Sequence, residues 1–308
     1  MPLISIVTPT FNEANNIEKL SIKIKEICDS NDINYEQIII DNNSDDGTTD
    51  IIKKLTSQHK NIKAILNQSN FGHIKSPYYA LLQSQGDATI TMQSDFQSPP
   101  ELIVDYYNKW ISGSKVILGR RKKVSDSFFL KIIKSIYYNL ICKISNHKME
   151  KNITGEGLYD KSVISILKKI NDPYPYMRGL VFELGFKIDF VDFDQPPRQR
   201  GVSKNSLYTL FDIGLLGVVK HSNILLRLMI LFGFFLGTMS LLVATSFLIF
   251  KILFWDSFQL GLAPILIGFF GLTGIQIMII GLIGEYTSTV LIYSKNLPLV
   301  IEKERINF

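Results

Sequence analysis

The sequence predicts an α/β domain built on a parallel, doubly wound sheet and followed by two transmembrane helices. Three observations carry that expectation. Short apolar runs of β type alternate with amphipathic stretches of helical period from Leu3 to Leu118. Each of the first four runs opens into a polar loop. Beyond Arg227, two long stretches contain no charged residue. Alternation at this spacing builds right-handed crossover units, whose strands stack in parallel with helices on the sheet faces.

Leu3–Thr8 is the first strand and Pro9–Glu13 its exit loop. In the helix that follows, Ile17, Leu20, Ile24 and Ile27 recur on one face, the period of a helix packed on a sheet. Gln37–Ile40 is the second strand and ends at Asp41. Asn42–Thr48 is rich in turn formers and leads into a helix that reaches His59. Ile62–Leu66 is the third strand, with Asn67–Gly72 as its exit, and a helix through Tyr79–Gln83 is closed by Gly86-Asp87. Ala88–Met92 is the fourth strand and Lys115–Leu118 the fifth. Pro99-Pro100-Glu101 opens the helix after strand four. Proline suits a first turn, where no N–H is required, and Glu101 complements the positive end of the helix dipole.

In a parallel sheet the loops that follow strands share the carboxyl edge, where ligands of open α/β sheets sit. Pro9–Glu13, Asp41–Thr48, Asn67–Gly72 and Gln93–Gln97 therefore form one polar rim. Asp95 is held on it by a strand before and a helix after. Alone, Asp95 reads either as a hard-metal or diphosphate ligand or as a solvated turn residue. Four polar loops on one rim favour the ligand site. There is no G-x-G-x-x-G and no Walker sequence, which excludes the usual dinucleotide and P-loop readings. The net charge of +5 suits an anionic ligand or a membrane surface, and no nucleic-acid motif is present. Cys28 and Cys142 form no ligand pair and read as reduced thiols of a cytosolic domain.

Leu228–Phe250 is 23 residues without a charge, and Ser257–Gly284 is a second uncharged run of 28. The first alone would span roughly 35 Å as a helix, enough for a bilayer core. Lys220, His221 and Arg227 precede the first run, and Lys295, Lys303 and Arg305 follow the second. That bias puts both termini and the rim in the cytoplasm. The expected organisation is a cytosolic catalytic domain over 1–204, a juxtamembrane amphipathic segment over 205–227, spans at about 228–250 and 259–284, and a cytoplasmic tail over 286–308. Gly233, Gly237, Gly268 and Gly271 offer small faces through which the spans could pack into a homo-oligomer. Frequent Lys, Asn and Ile fit a bacterial chain, hence an inner membrane.

Several stretches resemble glycosyltransferase family 2, with its GT-A nucleotide-sugar-binding, Rossmann-like fold. They are SIVTPTFNEANNI at the start, IIIDNNSDDGTTD after strand two and QSDFQSPPE after strand four. NQSNFGH, NITGEGLYDKSV, YMRGLVFELGF, RQRGVSK and HSNILLR are similar, in the same order, to polyprenyl-phosphate glycosyltransferases of the dolichol-phosphate mannose synthase type. The resemblance implies a nucleotide-sugar site drawn from Pro9, Thr10, Asn12, Glu13, Asp41, Asn70, Gln93, Ser94, Asp95 and Gln97. Within it, Pro9, Asn12 and Glu13 would line the base and ribose pocket and Asp41 would contact the base. Asp95 would hold Mg²⁺ or Mn²⁺ against the diphosphate, and Gln97 would contact the nucleotide sugar. The family carries an aspartate where this chain has Gln93, and often a second one where it has Asn42. Each change removes a negative charge near the metal, so weaker metal binding is expected.

The acceptor half has fewer fixed points. Ser127–His147 is basic and amphipathic, and reads either as a membrane-interface helix or as one packed on the sheet. Arg198, Arg200, Ser203 and Lys204 surround Gly201, a composition suited to clamping a lipid phosphate; the bland reading is a solvated basic loop. Arg178 is a further candidate phosphate contact or a surface ion pair. By the resemblance, Asp95, Glu156 and Arg200 would act on the reaction itself. The expected reaction is inverting transfer of a hexose, from UDP-glucose or a relative, to polyprenyl phosphate such as undecaprenyl phosphate. A polymerising synthase is disfavoured, because its Gln-x-x-Arg-Trp sequence is absent. A catalytically silent scaffold is the alternative that Gln93 and Asn42 raise. A glycosyltransferase acting on another lipid-linked acceptor is the second.

Overall fold

The computed structural model describes residues 1–122, 153–196, 262–295 and 297–308, with part of 231–254. At its centre β1 (Leu3–Thr10) pairs in parallel with β2 (Asn34–Asp41) on one side and β4 (Ala88–Thr91) on the other. β2 continues in parallel to β3 (Ile62–Asn67). The crossovers are α1 (Ile17–Ser30), α2 (Thr48–Gln58) and α3 (Gly72–Leu82), and α4 (Leu102–Ile111) leaves β4. Successive strand residues point to opposite faces, and the core divides accordingly. Ile4 and Ile6 pack with Leu20 and Ile24 of α1 and Ile103 of α4. Val7, Ile38 and Ile40 pack with Ala80 of α3 on the other face. The expected face of α1 is the buried one, with Ile17, Leu20, Ile24 and Ile27 all in the core.

The sheet is mixed rather than wholly parallel. Its order is β7-β5-β6-β4-β1-β2-β3-β8. β6 (Ile153–Asp160), within the NITGEGLYDKSV stretch, is inserted antiparallel between β4 and β5 (Val116–Arg121). The close approach of β5 to β6 requires Gly157, because a Cβ there would lie 2.1 Å from the Ile117 carbonyl oxygen. β7 (Ile188–Phe193) pairs in parallel with β5. Two antiparallel steps restore direction, so β5 and β7 run parallel to β4 and end on the same carboxyl edge. α5 (Lys161–Leu167) is capped by Asp160, whose carboxylate accepts from Ser162 N at 2.9 Å, and α6 (Met177–Glu183) follows.

The C-terminal segment is more than a tail. β8 (Glu302–Ile306) pairs antiparallel with β3 and closes that edge of the sheet. Lys53 pairs with Glu304 at 2.6 Å, and Asn307 Nδ2 donates to the carbonyls of Thr56 and Ile62 at 2.7 and 2.9 Å. Residues 1–210 and 296–308 thus form one compact unit, and residues 211–295 a second.

Within the second unit, α7 (Leu262–Ser294) is one helix of 33 residues that overlaps and outruns the second expected span. Much of the first expected span lies outside the described residues. Taken over the described residues alone, no helix is both long and apolar enough to cross a membrane. The two spans therefore rest on the sequence, not on the structure.

Candidate active site

The chain visits β1, β2 and β3 outward on one side of β1, then α3 carries it back to β4 on the other side. The loops after β1 and β4 consequently leave in opposite directions and open a crevice at the carboxyl edge between them. Such a switch point is where open α/β sheets bind ligands. Asp95 lies on one lip and Asn12 and Glu13 on the other. The lips meet beneath, where Ser94 Oγ donates to the Pro9 carbonyl at 3.1 Å.

The lip after β1 is bolted to the loop after β2. Asn12 N donates to Ser44 Oγ at 2.9 Å, and Asp45 N returns a bond to Asn12 Oδ1 at 3.1 Å. Glu13 N donates to Thr48 Oγ1 at 2.9 Å and Ala14 N to Asp46 Oδ2 at 3.1 Å. Asn12 and Asn43 take left-handed φ values of 56° and 63°, a conformation that asparagine tolerates better than most residues. Burial pushes the Asp46 carboxyl up, but the Thr48 hydroxyl and the N–H groups of Ala14 and Thr48 outweigh it and hold it below its ordinary value. Asp41, 1% exposed, accepts from Ser44 Oγ and Thr49 Oγ1, each at 2.5 Å. Thr10 is buried just below, its carbonyl accepting from Asn42 N.

Asn42, expected as a lost charge beside a metal, is held in a network of side-chain hydrogen bonds. Its Nδ2 donates to Asn70 Oδ1 at 2.7 Å and to the Gly72 carbonyl at 3.3 Å. Its Oδ1 accepts from Ser76 Oγ at 2.7 Å, Phe71 N at 2.9 Å and Asn67 Nδ2 at 3.1 Å. An amide offers both polarities, which an ionised carboxylate does not. The residue is the knot that ties the loop after β3, with Asn70 on it, to the end of β2.

On the opposite lip, Asp95 Oδ1 accepts from Gln97 N at 3.1 Å, and Phe96 between them takes φ 57°. This small turn presents a half-buried carboxylate, while Gln93 is exposed. Among the described residues no three His, Cys, Asp or Glu side chains converge. A divalent ion at Asp95 would take its other ligands from a diphosphate and water. Mg²⁺ and Mn²⁺ accept such an oxygen-rich set, so the donor chemistry fits.

The register of Thr91 opposite Gly157 sets Glu156 just beyond the end of β4, on this same edge. Glu156 is 6% exposed. Below it, burial first and then the charges of Glu156 and Tyr159 push the Tyr106 hydroxyl up, so it stays a neutral phenol. At the exits of β5 and β7, Arg120 grips Asp192 with two bonds of 2.6 and 3.1 Å, holding that carboxyl below its usual range. Two residues past β7, Gln195 Nε2 donates to Gln97 Oε1 at 2.6 Å. Nothing local in the sequence points to that pair, whose members are 98 residues apart; the nearest signal is the Pro196-Pro197 step, which stiffens the chain there.

Arg178 lies in the first turn of α6, and nothing of its side chain is described. Arg198, Arg200, Ser203, Lys204 and the expected helix over 127–147 fall outside the described residues.

Residues 5–167 match the model of glycosyl transferase family 2. An uncharacterised glycosyltransferase of Synechocystis sp. is 29% identical over 97% of this chain and 94% of its own length. The bactoprenol glucosyl transferase of Shigella phage SfV is 28% identical over 97% of this chain and 98% of its own. Among solved structures, glucosyl-3-phosphoglycerate synthase from Mycobacterium tuberculosis, crystallised with Mn²⁺, UDP-glucose and phosphoglyceric acid, superposes with a TM-score of 0.50. That match covers 71% of this chain and 78% of that one at 16% identity, a likeness of fold. The mixed sheet is thus of the GT-A kind, and the chain belongs to glycosyl transferase family 2.

Proposed function

We propose that this enzyme transfers a hexose, glucose from UDP-glucose in the first instance, to the phosphate of a polyprenyl phosphate. The observation that carries the reading is Asp95, on a loop fixed at the β1–β4 crevice and facing the bolted loops after β1 and β2. Full-length similarity to a bactoprenol glucosyl transferase supports the acceptor. The donor's base and ribose would lie along Pro9–Glu13 and Asp41, and its diphosphate beside Asp95. A divalent ion held by Asp95, when bound, neutralises charge that gathers on the leaving diphosphate. An oxygen of the lipid phosphate attacks the anomeric carbon as the bond to the diphosphate oxygen breaks, and the nucleoside diphosphate leaves with the electron pair. The configuration inverts. The attacking oxygen is already anionic, so it needs positioning more than deprotonation. Glu156 would act by electrostatics and placement. Arg198, Arg200, Ser203 and Lys204, with Arg178, would hold the lipid phosphate; Arg198 follows Gln195 by three residues.

Membrane attachment belongs to the same reading. Leu262–Gly284 carries no charge, and Phe232, Phe235, Leu242, Phe250, Phe269 and Ile280 expose large apolar surface, unfavourable in water. Residues 1–210 and 296–308 build one sheet, so crossings made between them come in an even number. Two spans satisfy that, and the flanking cations place both ends in the cytoplasm. The test is to incubate the purified chain with undecaprenyl phosphate, Mg²⁺ or Mn²⁺ and radiolabelled nucleotide sugars, beside Asp95→Ala. Label from one donor should enter the lipid phase and vanish in the variant. No transfer from any donor, with nucleotide binding intact, would overturn the acceptor assignment.

A further inference from the structure

We infer that the C-terminal segment Leu297–Phe308 positions the nucleotide-sugar loop after β3, acting through the Ile301 carbonyl. The role rests on the nucleotide-sugar reading of the crevice and adds to it the part of the chain that completes one rim loop. Along β3 the pairing with β2 ends at Leu66, opposite Asp41. Beyond that point the backbone runs beside the C-terminal segment instead. The register shifts between Leu66 and Asn67, Asn67 comes opposite Glu302, and Gln68 N donates to the Ile301 carbonyl at 2.9 Å. Asn70, a candidate donor contact, follows two residues later. Asn42 holds the same loop from the β2 side through Asn70, Phe71 and Gly72. The loop is therefore pinned from two sides, once by β2 and once by the end of the chain.

The pinning segment is itself well seated. Val300 is buried, and Leu299 packs against the cluster that contains Tyr78 and Leu81 of α3. Arg305 donates to Tyr79 Oη at 3.3 Å and to Gln83 Oε1 at 3.1 Å. The segment thus holds both the strand that the loop leaves and the helix that it enters. Without it β3 would be an edge strand, and Gln68 N would turn to water. A loop that samples several conformations binds its ligand more weakly, by the fraction of time it spends in the competent one. Chain order adds a consequence. α7 ends at Ser294 and β8 begins at Glu302, so the residues that pin the loop come directly after the long apolar helix. The donor site is complete only when the chain beyond the second unit has returned to the sheet.

Three variants separate positioning from plain support. Gln68→Pro removes the N–H that Ile301 accepts and leaves the segment in place; Asn67 lies in β3 and is already extended, as suits a residue before proline. Asn307→Ala removes the bonds to Thr56 and Ile62 at the far end of the segment and leaves the loop untouched. Deletion of residues 301–308 removes pin and strand together. The readouts are the Kd for nucleotide sugar by calorimetry, steady-state KM and kcat, the melting temperature, and hydrogen exchange at Phe71 and Gly72. For Gln68→Pro, Kd and KM should rise about 3- to 10-fold, with kcat within about twofold, melting unchanged and faster exchange at both amides. For Asn307→Ala the melting temperature should fall while Kd stays within about twofold. The deletion should raise Kd more than about 10-fold, since several loop residues must then be ordered on binding. Wild-type Kd and exchange in Gln68→Pro would overturn the inference. So would Kd and melting that worsen in step in both point variants, which marks mere structural support. Should the deletion fail to fold, the point variants decide alone. If the wild type binds nucleotide sugar without transferring it, the acceptor assignment fails and the Kd comparison still decides the role of the segment. If it binds no nucleotide sugar, both readings fall.

Discussion

Replacing Asn42 by aspartate supplies the carboxylate that the family resemblance implies there, and the structure makes the outcome unfavourable. Asn42 Nδ2 donates to Asn70 Oδ1 and to the Gly72 carbonyl, while Oδ1 accepts from three donors. Asn42→Asp keeps the three accepted bonds and turns both donated ones into oxygen–oxygen contacts at a site 6% exposed. Asn70 cannot simply rotate its amide to compensate, because its Oδ1 also accepts from Gly72 N at 2.9 Å. One good hydrogen bond lost is about 1 kcal/mol, and buried acceptors left facing a charge add about 1–3 kcal/mol. Stronger charge-assisted bonds to the retained oxygen return part of that, leaving roughly 2–3 kcal/mol of destabilisation. For a domain of this size that is a fall in melting temperature of roughly 5–10 °C. Burial also raises the folded-state pKa of the new carboxyl above that of an unfolded aspartate. The protonated form can donate again, so the deficit against wild type should shrink on acidification and grow as pH rises through the folded pKa. The assay is thermal unfolding across pH, with activity measured at limiting Mn²⁺. Wild-type melting together with a gain in activity at low metal would refute the reasoning and return Asn42 to the metal site.

Other perturbations are as specific. Asp95→Asn keeps an acceptor for Gln97 N but loses the charge, and transfer should fall by about 100-fold or more, without a change in melting temperature. Glu36 is buried, which pushes its carboxyl up. Lys63 at 2.6 Å, Ser5 Oγ at 2.5 Å and Gln85 N at 3.1 Å outweigh this and hold it below its ordinary value. Its contribution is therefore complete above the unfolded pKa near ~4.3 and disappears as pH falls through the lower folded value, which melts between neutral and acid pH will follow. Lys63→Met strands that carboxylate and should cost about 3 kcal/mol at neutral pH, read by urea unfolding. Gly157→Ala drives a methyl group into the Ile117 carbonyl and should lower stability by more than about 3 kcal/mol, visible as lost soluble yield or early melting.

Strands one to four, the helices between them and their polar rim could be read directly from the residues. Each βαβ unit is local: a short apolar run, a 3.6-residue helical face and turn formers lie within about 30 residues, and handedness leaves a single way to close them. Asp95 was legible for the same reason, since strand, loop and proline-led helix sit in one short stretch. The antiparallel insertion of β6 was not. Its residues carry no strand assignment in the sequence, and its place depends on β5 and β4 standing far enough apart to admit one strand between them. β8 was likewise hidden, because a strand of charged residues after a long apolar stretch has no local sign of a partner at β3. The polarity of single groups was least legible of all. The bonds of Asn42 to Asn70, Gly72 and Ser76 have no local sign in the sequence, and Gln195 looks like any polar residue until the sheet order brings it to Gln97. Side-chain hydrogen bonds reach about 3 Å, and only the completed sheet decides which distant residues come that close.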